Sequence, residues 1–378
     1  MTELASSKSS SLPPLARIPS QIAAVADYEP FARDRMSAEA WAYMAGGAAD
    51  ELTLRWNQEA YGCLRLTGRP LNDLSNGDTK VTLFGHTFDF PILLAPIAYH
   101  RLAHPDGELA TALGASAIRA GFVVSTKSNL MLEDIARTAR TPLWFQLYLQ
   151  QDREITLDLV QRAQSAGYRA LVVTVDAPVS GVRNTEQRAN FRLPAGMEAV
   201  NLQGAEPPGT HVVAGVNTVF GPFLDRAPTW KDIEWLRSQT RLPLILKGIT
   251  APQDALRAVA EGADGIIVSN HGGRTLDTLP PTIEILPRIA QAIEGRATLL
   301  MDGGIRRGTD IVKALALGAQ AVLIGRPYIY GLAAAGASGV AHVVHILRTE
   351  LEVAMALTGC RTLSAITEDV LWDKPRVD

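Results

Sequence analysis

Short apolar runs recur along the chain, each followed by a turn and a helix-like stretch. They are "PILLA" (91–95), "FVVS" (122–125), "LWFQL" (143–147), "ALVVTV" (170–175), "PLILK" (243–247), "GIIVS" (265–269), "ATLLM" (297–301) and "AVLIG" (321–325). The runs are continuously apolar rather than alternating, which suits parallel strands buried on both faces. Amphipathic helical stretches lie between them, such as 252–263 and 309–319, and both end near Gly. Eight βα units in series predict an α/β fold, a (β/α)8 TIM barrel, with an open doubly wound sheet as the alternative. Upstream, 28–90 predicts a helical N-terminal extension, where "MSAEAWAYMAGGAADELTLRWN" reads as helix, glycine break, helix. The region 176–242, between the fourth and fifth strands, is long and rich in Gly and Pro, the mark of a lid or binding loop. The final apolar stretch, 333–359, predicts one long helix that closes the barrel. The expected organisation is a mobile tail over 1–27, one barrel domain over 28–365 and a C-terminal tail over 366–378.

Composition narrows the function classes. The chain has 378 residues, 47% hydrophobic and 20% charged, with a formal net charge of -3. That balance argues against nucleic acid or an anionic membrane as partner. The Ser- and Pro-rich start lacks the apolar core of a signal peptide. The apolar runs are strand-length, so no membrane span is expected. The end "KPRVD" carries no peroxisomal tripeptide. Cys63 and Cys360 form neither a metal spacing nor a disulfide framework, so no metal site is expected. The expectation is a soluble cytoplasmic protein.

A barrel does its chemistry at the C-terminal ends of its strands. Here those ends carry "APIAYH", Ser125, Gln146 with Tyr148, Thr174 with Asp176 and then Arg183, Lys247, "SNHGGRTLD" (269–277), "DGGIRRG" (302–308) and "GRP" (325–327). Singly, most of these are ordinary turn formers. Together they point polar groups at one mouth. The glycines and the arginines Arg306 and Arg326 after strands seven and eight suit a phosphate. Arg183 and Arg274 form a second anion site whose planar guanidinium groups suit a carboxylate. His271 is the mouth residue suited to proton transfer near neutrality, with Asp176 as its orienting partner.

At these residues the chain resembles the FMN-dependent (S)-2-hydroxy acid oxidases and dehydrogenases, which include glycolate oxidase, lactate oxidase and mandelate dehydrogenase. "SNHGGRTLD" carries the resemblance, with "WAYMAGGAADELTLRWN", "APIAYHRLAHPDGE", "WFQLYLQQDR", "TVDAPVSGVR", "LPLILKGI" and "DGGIRRGTDIVKALALGA". The resemblance implies FMN as cofactor and oxidation of a 2-hydroxy acid to the 2-oxo acid. It implies His271 as base, Asp176 as its partner, Arg183, Arg274 and Tyr43 on the substrate carboxylate, and Tyr148 near the substrate hydroxyl. It places Lys247 beside flavin N1 and the C2 carbonyl. Pro96, Ile97, Ala98, Ser125, Gln146, Thr174 and Ser269 fall around the flavin ring and ribityl chain. Asp302, Gly303, Gly304, Ile305 and Arg306, with Gly325 and Arg326, fall at the ribityl and phosphate site. A homo-oligomer, tetrameric or higher, is implied as well.

The chain departs from the commonest pattern of that family at several positions. Ile97 stands where Thr is frequent, Lys127 where glycolate oxidases have a tryptophan, and Ser180 where a leucine narrows the pocket. "GVRNTEQRANF" is a looser form of an Arg-rich run. These changes predict a wider pocket and a substrate larger than glycolate, an aryl or longer-chain 2-hydroxy acid. O2 giving H2O2 is the expected acceptor. The alternatives are a dehydrogenase serving a quinone or carrier protein, and a flavin-binding barrel isomerase. The isomerase would have no use for an arginine clamp.

Overall fold

The computed structural model describes residues 12–203, 219–220, 224 and 227–372. Its first strands, β1 (Val81–Leu83) and β2 (His86–Phe88), form an antiparallel hairpin. The next eight are β3 (Ile92–Leu94), β4 (Gly121–Ser125), β5 (Leu143–Leu147), β6 (Leu171–Thr174), β7 (Leu244–Ile249), β8 (Gly265–Val268), β9 (Thr298–Asp302) and β10 (Ala321–Ile324). These are parallel and close into a barrel, β10 pairing with β3. Every expected strand is present, and the open-sheet alternative is excluded by that closure.

Helices α1 (Tyr28–Arg33), α2 (Ala38–Ala45) and α3 (Leu52–Cys63) precede the barrel. Around it run α4 (Gly107–Ile118), α5 (Leu132–Thr138), α6 (Arg153–Ser165), α7 (Asn184–Arg188), α8 (Trp230–Gln239), α9 (Pro252–Ala260), α10 (Thr282–Ile293), α11 (Gly308–Ala316) and α12 (Arg326–Leu357). The extension is therefore not purely helical, because the β1–β2 hairpin belongs to it.

Alternate strand residues serve two cores, as the period-2 geometry of a strand requires. Leu93, Val123, Trp144, Val172, Ile245, Ile267, Leu300 and Leu323 fill the barrel interior, with Leu83 and Phe88 beneath them. Phe84 and Phe88 both meet Trp144 edge-on. Gly121 and Gly265 make room for this plug: a Cβ on either would come within 2.7 Å of a Phe88 or Phe84 ring atom. The hairpin thus closes the N-terminal end, and only the opposite mouth can admit a ligand. The outer core holds Ile92, Leu94, Phe122, Val124, Phe145 and Val173 against the helices. Each such side chain contributes about 1.5–3 kcal/mol by leaving water.

Three sequence-based boundaries change. Ile22 and Val25 are buried and Leu15 N–H bonds Ala334 O, so the packed body begins before Tyr28. Ile366, Val370 and Leu371 are also buried, and Leu371 bridges Leu66, so 366–372 is no tail. The last helix starts at Arg326 rather than 333 and breaks at Ala335–Gly336, where Gly336 takes φ +58°. That helix is long and apolar enough to cross a membrane by composition, contrary to the expectation that no segment is. Most of it is buried against the other helices, which explains its apolarity as that of a core element.

Candidate active site

The turn after β8 sets the geometry. Ser269 Oγ receives the backbone N–H of His271 at 3.0 Å and Lys247 Nζ at 2.8 Å. His271, Gly272 and Gly273 then take φ of +57°, +62° and +74°, three successive left-handed residues. Only the two glycines adopt this without strain, so His271 is held there by its surroundings. Its Nδ1 lies 2.8 Å from Asp176 Oδ1. Burial would raise the Asp176 carboxyl, but His271 and Lys247 beside it outweigh burial and hold it below the usual carboxylate range. A carboxylate only accepts, so the neutral imidazole carries its proton on Nδ1 and keeps its lone pair on Nε2. Gly248 lets Asp176 reach this place, since a Cβ there would stand 2.5 Å from Asp176 Cβ. The register shift in β7 between Lys247 and Ile249 falls at the same residue.

Beside this pair lies an anion pocket. Burial, then the charge of Arg274, pushes the Arg183 guanidinium down to about 10, still protonated at neutrality. Arg183 Nη1 is buried without a partner among the described residues. Arg274 donates Nη1 to Gly46 O at 2.6 Å and lies over the Tyr43 ring, 5.2 Å from its centroid. Burial pushes the Tyr43 phenol up to about 12 despite Arg274. Glu186 sits 3.2 Å from Arg274 and 3.7 Å from Arg183. Two guanidinium groups against one carboxylate leave an excess charge of about +1 in a desolvated pocket, which favours an anion. Burial raises the Tyr148 phenol, and Asp176, Tyr43, Arg274 and Arg183 all bear on it, so the catalytic pair and the clamp lie close around one tyrosine.

The expected flavin residues line the strand ends in register: Ser125 is opposite Gln146, and Thr174 opposite Lys247. Gln146 Oε1 accepts from Ser125 Oγ at 3.1 Å, and its buried Nε2 has no partner among the described residues. Lys247 pairs with Asp302 Oδ2 at 2.9 Å, leaving buried Asp302 Oδ1 unmatched. Burial would lower the Lys247 ammonium, but Asp302 and Asp176 outweigh it and keep it charged. Of eight buried side-chain atoms without partners among the described residues, four (on Gln146, Asp176, Arg183 and Asp302) belong to this mouth. Buried polar groups are rarely left unmatched, so the cluster signals a polar ligand. A flavin fits: Gln146 and Lys247 offer donors to ring heteroatoms, and Asp302 offers an acceptor to a ribityl hydroxyl. The half-buried Arg306 side chain donates, among the described residues, only to its neighbour's carbonyl, Ile305 O, at 2.9 Å, and has further N–H groups for a phosphate. Pro96, Ile97 and Ala98, just past β3, are half-buried at the same mouth, and Ile97 Cδ1 is 3.7 Å from where a Cβ on Gly325 would stand.

Three sequence readings need correction. The Arg326 guanidinium is no phosphate clamp. Its Nε bonds Ala45 O at 3.0 Å, Nη2 Gly46 O at 2.8 Å and Nη1 Gly272 O at 2.9 Å. It ties the carbonyl end of α2, where a cation is favoured, to the His271 turn. What Arg326 and Gly325 offer a ligand is backbone at the start of α12. Gly303 and Gly304, expected to let a ligand approach, are instead required by neighbouring protein. A Cβ would lie 2.6 Å from Thr282 Oγ1 at the first and 1.8 Å from Asn57 O at the second. Ser180 is exposed, so it does not narrow or widen the pocket through a described contact.

Several functional neighbours escaped sequence reasoning. Glu186 and Phe191, which stacks on Tyr43 at 4.7 Å, come from the loop after β6 and have no local signature. Asn57 and Asn270 exchange amide bonds of 2.9 Å, fastening α3 to the turn. Asp277 caps α3 from 224 residues away, accepting from Thr53 N at 2.8 Å and Asp50 N at 3.1 Å. Buried Asn201 bonds Ser128 Oγ, Leu130 O, Leu132 N and Arg162, pinning the long loop onto the segment after β4. The residues 204–218 of that loop lie outside the described residues.

Comparison with known proteins agrees with this geometry. A family model described as FMN-dependent dehydrogenase matches residues 32–373. The chain is 47% identical over 352 residues to an L-lactate oxidase of Nostoc sp., covering 91% of this chain and 96% of that protein. It is 44% identical over 343 residues to a peroxisomal (S)-2-hydroxy-acid oxidase of Oryza sativa subsp. japonica, covering 91% and 94%. A crystal structure of mandelate oxidase with benzoyl-formic acid superposes with a TM-score of 0.84 at 42% identity, over 92% of this chain and 97% of that one.

Proposed function

The chain belongs to the FMN-dependent dehydrogenase family, and from that premise we propose that it oxidises an (S)-2-hydroxy acid to the 2-oxo acid, with O2 reduced to H2O2. One observation carries the reading: the unmatched, charged Arg183 Nη1 and the His271–Asp176 pair both lie close to Tyr148. Arg183 and Arg274 hold the substrate carboxylate and so fix where the α-carbon sits. Tyr148 stands near the substrate hydroxyl. His271 Nε2 accepts the proton that leaves the substrate, and Asp176 stabilises the imidazolium so formed. Bound FMN supplies the two-electron acceptor. Lys247, charged and fixed by Ser269 and Asp302, favours negative charge near flavin N1.

A substrate larger than glycolate belongs to the same proposal, supported by the absence of an aromatic ring at Lys127. So does a homo-oligomer, tetrameric or higher, supported by exposed Leu71, Leu74 and Leu357 around one surface hollow. The cytoplasmic setting is supported by the paucity of cysteines, with Cys63 and Cys360 both free.

The decisive experiment uses the purified yellow protein. Anaerobic addition of a 2-hydroxy acid should bleach the flavin, and readmitted O2 should restore it with one H2O2 per 2-oxo acid formed. Bleaching that only a quinone or carrier protein reverses would refute the oxidase assignment.

A further inference from the structure

Lys127 is the unexplained charge at this mouth. It lies two residues past β4, in a segment fixed on several sides. Its N–H bonds Ser125 Oγ at 3.1 Å, and its carbonyl accepts from Tyr99 N at 3.1 Å. The next residue, Ser128, is held by buried Asn201 at 2.8 Å. The Lys127 Nζ lies over the Tyr148 ring, 5.3 Å from its centroid. Burial pushes the ammonium below the usual lysine range. Among the described residues the Tyr148 ring is its only partner, with no carboxylate or other hydrogen-bond acceptor against it. Cation–π contact with one ring replaces only part of the lost hydration. Tyr148 itself lies close enough to Arg183, Arg274 and Asp176 to feel their charges. Those arginines already serve one carboxylate, so Lys127 is a second cation, one ring away from the first anion site.

We propose that Lys127 is a specificity-determining residue that receives the distal carboxylate of a 2-hydroxy dicarboxylic acid. The inference rests on the 2-hydroxy acid activity argued above. The clamp takes the carboxylate next to the reacting carbon, and the flexible lysine stem reaches the far one. An apolar side chain of the same shape would leave the ammonium partly dehydrated without a partner, so the site discriminates against it.

The test compares (S)-malate with (S)-2-hydroxy-4-methylpentanoate, in which an isopropyl group replaces the distal carboxylate. Expected is a kcat/KM ratio favouring malate in the native holoenzyme, falling about tenfold or more in Lys127→Met, equivalent to about 1.4 kcal/mol. Lys127→Arg should keep the preference. Lys127→Glu should shift it toward (S)-4-amino-2-hydroxybutyrate, a gain that misfolding cannot produce. Flavin absorbance titrations should show oxaloacetate binding more tightly than 4-methyl-2-oxopentanoate, and the difference should vanish in Lys127→Met. A native preference for the apolar isostere, or a ratio unchanged within about twofold in Lys127→Met, overturns the role of Lys127 while lactate turnover leaves the activity standing. Failure of every 2-hydroxy acid, lactate included, to bleach the native flavin overturns the activity and this inference with it.

Discussion

Asp176→Asn removes a charge and almost nothing else. The amide oxygen can still accept from His271 Nδ1, which lies 2.8 Å from Asp176 Oδ1. The side chain stays in the space that Gly248 leaves open. What is lost is the attraction between the carboxylate and the imidazolium that forms as His271 takes its proton. With charge centres about 4 Å apart and an effective dielectric near 20, that attraction is about 4 kcal/mol. The amide dipole restores part of it, so about 2.7–4 kcal/mol is the expected rise in barrier, about 10²–10³-fold in rate. Anaerobic stopped-flow measurement of flavin reduction by lactate reads this directly. Asp176 acts through His271, whereas the arginines hold the carboxylate. The dissociation constant of pyruvate should therefore change by no more than about threefold. A fall in reduction rate below about fivefold, or an equal loss of pyruvate affinity, would refute the reasoning.

Other outcomes follow from the same geometry. Arg183→Met removes the free donor Nη1. Pyruvate affinity should weaken about tenfold to a hundredfold, as losing charged hydrogen bonds worth about 1.5–3 kcal/mol requires, and a loss confined to kcat would contradict the clamp. Arg306→Gln should weaken FMN binding about tenfold or more but leave riboflavin binding alone, as followed by flavin fluorescence quenching; equal losses for both would disprove a phosphate role. Asp277→Asn should destabilise the fold by about 1–2 kcal/mol at neutral pH, since the carboxylate caps α3. Burial would raise the Asp277 carboxyl, but the N–H groups of Thr53, Leu52, Thr278 and Asp50 outweigh burial and hold it low. Its stabilisation is therefore full above the unfolded carboxylate value near 3.9 and is lost as pH falls through the lower folded value. Chemical denaturation at pH 7 and at acid pH should show the gap between native and variant closing in acid.

The strand pattern was legible because burial on both faces leaves a continuous apolar run, a local property that survives in one dimension. The βα count followed, and with it the barrel and the end of the barrel that carries chemistry. "SNHGGRTLD" was legible for a related reason: base, turn and clamp lie within six residues, so their spacing alone constrains their geometry. The letters of that motif that were not understood are the ones with distant partners. Asn270 answers to Asn57, and Asp277 to the start of α3. Arg326 looked like a phosphate ligand because it follows a glycine after the eighth strand. Its guanidinium is instead taken up by carbonyls of α2, some 280 residues earlier. Gly303 and Gly304 looked like room for a ligand, yet Thr282 and α3 fill that room. The sequence by itself determined the elements, their order and the chemistry class, because apolar period and short motifs depend on near neighbours. Only the tertiary structure decided which polar atoms are already bonded and which, like Arg183 Nη1, Gln146 Nε2 and Asp302 Oδ1, are left for a ligand. That distinction depends on where a side chain points and what long-range folding brings against it, and no local pattern encodes either.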